Sequence, residues 1–479
     1  MSIISSLFWK FMERSGNQII QVAVQIVLAR LLVPSDFGMI ALVLVFINLG
    51  QVFVQSGLNT ALIQAKHASD VDFSSVFYIS LFVAGVLYVV LYFTSPYIAT
   101  FYEMSALCHV LRFLSLILFF GAVTSIQNAV VSREFKFKQL FYSSLGAALC
   151  SGAIGIAMAL RGFGIWALVW QQLTNQFFLC VIMWFTVRWR PKLLFSLVRV
   201  RILLAFGWKL LISALLDTGY REMQNLVIGK MFAPSTLGFF NRGQIFPQVI
   251  VGNIDGSIQA VMLPALSREQ DNPRRVKEMM RRAITMSSFI IAPLMMGLIA
   301  TAEPVVKIVL TDKWLPCVPF IRICCLSFIL YPIHTANLQA INALGRSDIF
   351  LKLEIIKKIM GISVLMFAII CWGSVMAIAW SAVISGIISS FINSYPNKIL
   401  LKYGYLEQVM DLFPPIIIAA FMGGVVYLLN YIDYNIYIML MSQILVGVII
   451  YTAASKLFKI ESFDYFLCMV LSLIRKQEI

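Results

Sequence analysis

Residues 37–62 read FGMIALVLVFINLGQVFVQSGLNTAL, a run without a single charged side chain. About 20 apolar residues are enough for a helix to cross the ~30 Å hydrocarbon core of a bilayer. Runs of this kind recur along the 479 residues of the chain, which is 60% hydrophobic and only 12% charged. Soluble domains are about 45–50% apolar and about 25% charged. The composition therefore excludes a soluble protein and predicts one that is embedded in a membrane.

Fourteen apolar segments of spanning length can be counted along the chain. Their cores are 8–31, 37–62, 73–94, 107–131, 140–160, 163–186, 203–231, 236–264, 283–310, 318–343, 351–372, 374–396, 412–431 and 435–455. A membrane β-barrel is excluded, because its strands alternate apolar and polar residues with a period of two. We predict an all-α polytopic membrane protein with about fourteen transmembrane helices.

Basic residues dominate the charge, which is +15, but they lie between the apolar segments and form no single stripe that would fit a nucleic acid. If the N-terminus is cytoplasmic, twenty-seven basic residues fall on the cytoplasmic side. Only five fall on the other side, namely Arg30, Arg161, Lys230, Lys307 and Lys313. Cytoplasmic loops carry the excess of Lys and Arg in membrane proteins. The sequence thus predicts fourteen spans with both termini in the cytoplasm.

The sequence matches itself at a shift of 200 residues. Pro34-Ser35-x-x-Gly38 aligns with Pro234-Ser235-x-x-Gly238, and Arg30 aligns with Lys230. An even number of helices in each half gives both halves the same orientation, which is a parallel repeat. The predicted parts are an N-lobe of helices 1–6 (1–187), a C-lobe of helices 7–12 (202–397), an appended helix pair (411–456) and a cytoplasmic amphipathic tail (457–479).

Polar residues are concentrated in the first, second, seventh and eighth segments, where they recur at spacings of three, four and seven. These spacings place them on one face of each helix. The polar candidates for substrate binding are Asn17, Gln18, Gln21, Gln25, Asn48, Gln51, Gln55, Asn59, Asp217, Gln224, Asn225, Gln244, Gln248, Asp255 and Gln259. We expect these four stripes to line a hydrophilic central cavity. The alternative is that the amides hold helices together, at about 0.6 kcal/mol for each hydrogen bond.

Five basic residues in these segments are candidates for binding an anion. They are Lys10, Arg14, Lys209, Arg221 and Arg242. Arg221 lies near the middle of its segment, where a cation that faces lipid costs at least about 2.5–3.5 kcal/mol. Asp217 lies one turn away, so the two can also form a purely structural pair. The other four are nearer to helix ends, where they can alternatively extend to the interface.

Signatures of catalysis are absent from the sequence. It has no G-x-x-x-x-G-K-[ST] motif, no H-E-x-x-H motif and no cluster of Cys and His. Its three histidines are scattered, and its eight cysteines mostly lie in apolar stretches. We therefore expect no catalytic residues, no metal and no cofactor, and a transporter rather than an enzyme.

Three stretches resemble a known family: ARLLVPSDFG (29–38), GFGIWALV (162–169) and ALGR (343–346). They are similar to the polysaccharide transporter family of the MOP exporter superfamily, in particular its Wzx/WzxC-like lipopolysaccharide and exopolysaccharide flippases. The resemblance implies a two-lobed fold with alternating access. It also implies transport of undecaprenyl-diphosphate-linked oligosaccharide from the cytoplasmic to the periplasmic leaflet of the bacterial inner membrane.

The expected partners are this lipid-linked oligosaccharide, a polysaccharide polymerase and the export machinery, and no nucleic acid. H⁺ and Na⁺ are both candidates for a coupling cation. A cation-coupled multidrug exporter of the same superfamily is the alternative function, although cationic drugs favour a more acidic cavity than these stripes provide. A polysaccharide polymerase is the alternative from another class.

Overall fold

The structure, a computed structural model, describes residues 3–55, 57–64, 69–432, 435–465 and 467, and all regular secondary structure in these residues is helical. The helices of the first half are α1 (Ile3–Leu31), α2 (Pro34–Gln55), α3 (Leu58–Gln64), α4 (Asp70–Phe101), α5 (Ser105–Leu114), α6 (Ile117–Arg133), α7 (Phe137–Leu160) and α8 (Ile165–Thr186). The later helices are α9 (Leu197–Met231), α10 (Pro234–Arg268), α11 (Pro273–Val309), α12 (Val318–Ile329), α13 (Tyr331–Ala343), α14 (Ser347–Trp372), α15 (Val375–Leu400), α16 (Tyr405–Leu428) and α17 (Ile436–Leu457). The all-α prediction is confirmed. Most of the predicted amphipathic tail lies outside the described residues.

Every one of the fourteen apolar segments coincides with a helix or with consecutive helices. In the described ranges, twelve helical segments are long and apolar enough to cross a membrane, which confirms a multi-pass membrane protein. The first and seventh segments, now α1 and α9, are not among these twelve. The count of fourteen spans stays a prediction.

Three segments that were predicted as continuous helices are broken in the structure. The second divides into α2 and α3 just before Leu58, where Gly57 has a φ of +81°, a conformation that costs glycine little. The fourth divides into α5 and α6 at Ser115 and Leu116. The tenth divides into α12 and α13 at Leu330, and Pro332 lies in the first turn of α13.

Two of the helices that begin earlier than their apolar cores predicted have a capping side chain at the start. Asn272 accepts a hydrogen bond from the backbone N–H of Arg275 (3.3 Å), so α11 begins at Pro273 rather than near residue 283. Ser196 caps α9 in the same way, so that helix begins at Leu197 rather than near residue 203. Apolar content predicts which part of a helix lies in the hydrocarbon core, but it does not predict where the helix begins.

The chain divides into two compact units, Met1–Gly238 (unit 1) and Phe239–Ile479 (unit 2). In unit 1, α7 packs against α1 and α8, and α2 packs against α6 and α9. Its core includes the buried side chains of Leu62, Val76, Ile126 and Met183. The contacts of α9 with α2, α3 and α4 therefore place the seventh predicted helix in unit 1.

In unit 2, α11 packs against α12, α13, α16 and α17. A fully buried polar network joins α13, α15 and α16. Asn337 donates a hydrogen bond to the Gln408 Oε1 atom (2.7 Å) and accepts one from Asn397 (2.7 Å). Removing one partner of a buried amide lowers the free energy of unfolding by about 1–3 kcal/mol. The network thus fixes α16, the first helix of the predicted appended pair, within unit 2.

An ionic cluster strengthens the same junction between α11 and α16. Arg281 pairs with Asp411 at 2.7 Å, and Lys277 pairs with Glu407 at 2.8 Å. Tyr403, in the turn between α15 and α16, donates a hydrogen bond to Asp411 (2.6 Å). Burial, and then this hydrogen bond, raises the pKa of Tyr403 far above its ordinary value. Tyr403 therefore acts as a neutral donor.

The two copies of the Pro-Ser-x-x-Gly motif face each other in unit 1. A Cβ atom at Gly38 would lie 1.7 Å from the carbonyl oxygen of Pro234, and one at Gly238 would lie 2.1 Å from that of Pro34. Each proline begins its helix, α2 or α10. The contact is reciprocal, which supports the predicted internal repeat.

Candidate substrate-binding faces

The polar face of α1 is partly exposed in unit 1. Asn17, Gln18, Gln21 and Gln25 are half-buried. The side chains of Lys10 and Arg14 lie outside the described part of the structure, so their role as anion ligands stays a prediction. The face retains hydrogen-bonding capacity, because the Asn17 Oδ1 atom is buried and accepts no hydrogen bond within the described residues.

Some side chains on the polar face of α2 make contacts within the protein, and others are exposed. Gln51 donates a hydrogen bond to the backbone carbonyl of Ile117 on α6 (3.0 Å), and Gln55 donates to Gln51. Gln51 therefore joins helices, which is the alternative raised for these amides. Asn48 is exposed, and Asn59 lies beyond the break, on α3. Gln51 and Gln55 are therefore engaged in contacts within unit 1.

Two charged side chains on α9 remain exposed although they pair with each other. The guanidinium of Arg221 lies 2.8 Å from the carboxylate of Asp217, and the two side chains are 70% and 46% exposed. A charge at mid-span faces protein or water rather than lipid. This pair lies on an exposed face of unit 1, and that this face is hydrated stays a prediction. Gln224 is half-buried on the same helix, and Lys209 is exposed nearer to its start.

Glu222 is a polar residue of α9 that the stripe pattern missed. Its carboxylate accepts hydrogen bonds from Asn48 on α2 (3.0 Å) and from Asn225 (2.8 Å). It follows Arg221 directly and lies three residues before Asn225, so the spacing was visible in the sequence. Glu222 also reduces the excess of basic over acidic side chains that counted against a multidrug exporter.

Exchanging donor and acceptor tests this contact between α2 and α9. Asn48→Asp opposes two carboxylates, and we expect the free energy of unfolding to fall by about 1–3 kcal/mol. The double variant Asn48→Asp with Glu222→Gln restores one donor and one acceptor, so it should recover most of that loss. Thermal unfolding of the purified variants measures both. A double variant as unstable as Asn48→Asp alone would contradict the assignment.

Arg242, at the start of α10 in unit 2, is enclosed by protein. It is 4% exposed, and its guanidinium carbon lies 5.4 Å from the centre of the Trp314 ring. A cation over an aromatic face is stabilised by the ring quadrupole. Arg242 is thus buried rather than extended toward the interface, and its engagement with Trp314 makes it a weaker candidate for substrate than Arg221.

Asp255 and Gln259 on α10 form a buried cluster with α13. The carboxylate of Asp255 accepts hydrogen bonds from Thr335 and from Gln259 (2.6 Å), and Gln339 donates to Gln259 (3.1 Å). Thr335 and Gln339 were not among the predicted residues, since nothing in the spacing of α13 relates them to α10. The cluster joins two helices within unit 2.

Gln244 and Gln248, also on α10, line a cavity of ≈ 150 Å³ within unit 2. Among the described residues no group of three His, Cys, Asp or Glu side chains could hold a metal ion. In unit 1, α9 offers the exposed cations Arg221 and Lys209 together with several amides. In unit 2, α10 offers two amides on a concave surface. Cations suit the anionic group of a ligand, and amides suit its hydroxyl groups.

Comparison with known proteins places the chain in a family. A family model described as "Polysaccharide biosynthesis protein" matches residues 27–319, more than half of the chain. The chain belongs to this polysaccharide biosynthesis family. The resemblance seen in the sequence is confirmed, and the family's members are transporters rather than enzymes.

Three relatives align over most of the length of this chain. The teichuronic acid biosynthesis protein TuaB of Bacillus subtilis is 23% identical over 381 residues, which cover 79% of this chain and 78% of TuaB. The succinoglycan biosynthesis transport protein ExoT of Rhizobium meliloti is 22% identical, and the alignment covers 81% of this chain and 78% of ExoT. The lipopolysaccharide biosynthesis protein WzxC of Escherichia coli is 22% identical, and the alignment covers 81% of this chain and 80% of WzxC.

Solved structures show the same fold. The lipid II flippase MurJ in an inward closed conformation superposes with a TM-score of 0.79 at 16% identity, covering 94% of this chain and 98% of MurJ. A MATE multidrug transporter of the MOP superfamily in an inward-facing conformation superposes with a TM-score of 0.61 at 13% identity. The match covers 83% of this chain and 95% of that transporter. The chain therefore shares its fold with these two transporters.

Proposed function

We propose that this protein is a flippase that moves an undecaprenyl-diphosphate-linked oligosaccharide from the cytoplasmic to the periplasmic leaflet by alternating access. The family and the names of TuaB, ExoT and WzxC support a role in the synthesis of a surface polysaccharide. A diphosphate with attached sugars cannot cross hydrocarbon unaided, because desolvating its charges and hydroxyl groups is too costly. A protein path for the headgroup is therefore required.

The exposed pair of Arg221 and Asp217 is the observation that carries this proposal. An exposed guanidinium ten residues before the end of α9 offers bidentate hydrogen bonds to a diphosphate oxygen pair. Asp217 neutralises it when no substrate is bound. The half-buried amides of Gln21, Gln224 and Asn17 supply donors and acceptors for sugar hydroxyl groups on the same unit.

Orientation and partners are further parts of the proposal. The excess of Lys and Arg on one side supports cytoplasmic termini in the bacterial inner membrane. A polysaccharide polymerase and export machinery would receive the flipped substrate, and H⁺ or Na⁺ would serve as the coupling cation. The fold shared with a MATE transporter is compatible with coupling to a cation.

Deleting the gene from its own bacterium tests the proposed function. We expect surface polysaccharide to disappear and the lipid-linked oligosaccharide to accumulate in the cytoplasmic leaflet, as measured by mass spectrometry of membrane extracts. Expression of the intact chain from a plasmid should reverse both effects. Normal polysaccharide without any accumulation in the deletion strain would contradict the proposal.

A further inference from the structure

The cavity of unit 2 lies between α10, α12 and α15 and has aromatic walls. Phe240, Phe320 and Phe328 line it, and the rings of Phe240 and Phe320 meet edge to face with centroids 5.7 Å apart. Ala379 and Ala382 of α15 form part of the lining. A concave site with aromatic walls and a few polar groups is the usual form of a small-molecule site.

The polar groups of this cavity are two amides and a hydroxyl group. Gln244 and Gln248 lie one turn apart on α10, and Ser327 belongs to α12. In the described part of the chain, neither amide side chain has a hydrogen-bond partner from the protein. Each amide therefore presents a donor and an acceptor to whatever enters the cavity.

The size of the cavity restricts its ligand to a single ring. Its volume of ≈ 150 Å³ is below the roughly 300–1,000 Å³ of sites for drug-sized molecules. An enclosed cavity of about 150 Å³ accommodates benzene, and this cavity is partly open, which leaves room at its mouth for the hydroxyl groups of a six-membered ring. An apolar ring would leave both amides without partners, whereas a ring with hydroxyl groups would satisfy them.

We infer that this cavity binds one pyranose ring of the transported oligosaccharide. The inference rests on the proposed function, because it assigns a part of the proposed substrate to unit 2. The faces of the ring contact the phenylalanine side chains, and its hydroxyl groups bond to Gln244, Gln248 and Ser327. The site adds recognition of a sugar to the recognition of the diphosphate proposed for Arg221.

Filling the cavity is the first arm of the test. Ala382→Phe places a ring in the space that the sugar would occupy. Ile384→Phe, two residues further along α15 on a side chain that is 47% exposed, is the matched control. The double variant Gln244→Leu with Gln248→Leu keeps the cavity but removes its hydrogen-bonding groups.

Two probes are compared with the full chain in nanodiscs: a short-chain prenyl diphosphate, and the same molecule with one hexose attached. We expect the wild type and Ile384→Phe to bind the hexose probe about tenfold or more tightly than the bare probe. A tenfold ratio corresponds to about 1.4 kcal/mol, which two or three hydrogen bonds can supply. Ala382→Phe and the double Gln variant should bind both probes equally, at the wild-type affinity for the bare probe.

Three results would overturn the inference. If the wild type binds both probes equally, the cavity holds no sugar although the proposed function stands. If Ala382→Phe weakens binding of the bare probe as much as binding of the hexose probe, the cavity holds the prenyl chain instead. If the wild type binds neither probe, the proposed function fails together with this inference.

Discussion

Arg221→Ala should abolish surface polysaccharide while the protein still inserts into the membrane at its normal level. Hydrogen bonds to a charged group contribute about 1.5–3 kcal/mol, so losing the guanidinium should weaken binding of a diphosphate by roughly 10- to 100-fold. The pair with Asp217 is exposed, and exposed ion pairs add only about 0–1 kcal/mol to stability. Arg221→Ala should therefore reduce transport with little effect on stability. Polysaccharide output and protein level in the same cells measure the two effects.

The double variant Asp217→Asn with Arg221→Gln is the control for a purely structural pair. It removes both charges and leaves two amides that can bond to each other. If the pair only stabilises α9, this variant should export polysaccharide normally. If Arg221 binds the substrate, the variant should stay inactive, and Arg221→Lys should recover part of the export because it retains the charge. Full export by the double variant would remove Arg221 from the mechanism.

Gly38→Ala and Gly238→Ala should each destabilise the protein strongly, although alanine is the better helix former. At both positions the new methyl group would lie about 2 Å from a backbone carbonyl oxygen, so α2 and the start of α10 would have to separate. Overpacking costs typically about 1–3 kcal/mol and more where backbone must move. We expect lower yields of folded protein and a lower midpoint of thermal unfolding in detergent.

Gly219→Ala is the matched control for these glycines. It lies inside α9, and a Cβ atom there would meet nothing within 4 Å. The same substitution should therefore raise the free energy of unfolding by up to about 1 kcal/mol, since it removes a helix-interior glycine. Equal behaviour of Gly38→Ala and Gly219→Ala would contradict the close approach of the two repeated motifs.

The sequence was sufficient for the fold class because each span needs its own apolar run. It also identified the repeat of Pro34–Gly38 at Pro234–Gly238. It could not show that these two motifs touch, because periodicity describes single helices and not their packing. The helix starts at Leu197 and Pro273 were missed for a related reason, since the capping residues lie outside the apolar cores.

The candidate site was predictable only in part. The spacing of Asp217 and Arg221 correctly predicted their pairing, because i and i+4 residues are neighbours on a helix. Thr335 contacts Asp255 from a helix 80 residues further along the chain, and no local pattern encodes that contact. The burial of Arg242 over Trp314 likewise depends on tertiary packing, which a single sequence does not display.

Flipping in liposomes tests the central claim most directly. Purified protein is reconstituted with a short-chain prenyl diphosphate that carries a fluorescently labelled oligosaccharide, and dithionite, which does not cross the membrane, then bleaches the label in the outer leaflet. Vesicles without protein should retain the fluorescence of their inner leaflet. Vesicles with the wild type should lose nearly all of it, and vesicles with Arg221→Ala should resemble those without protein. Retention of the inner-leaflet signal with folded wild-type protein would contradict the assignment as a flippase.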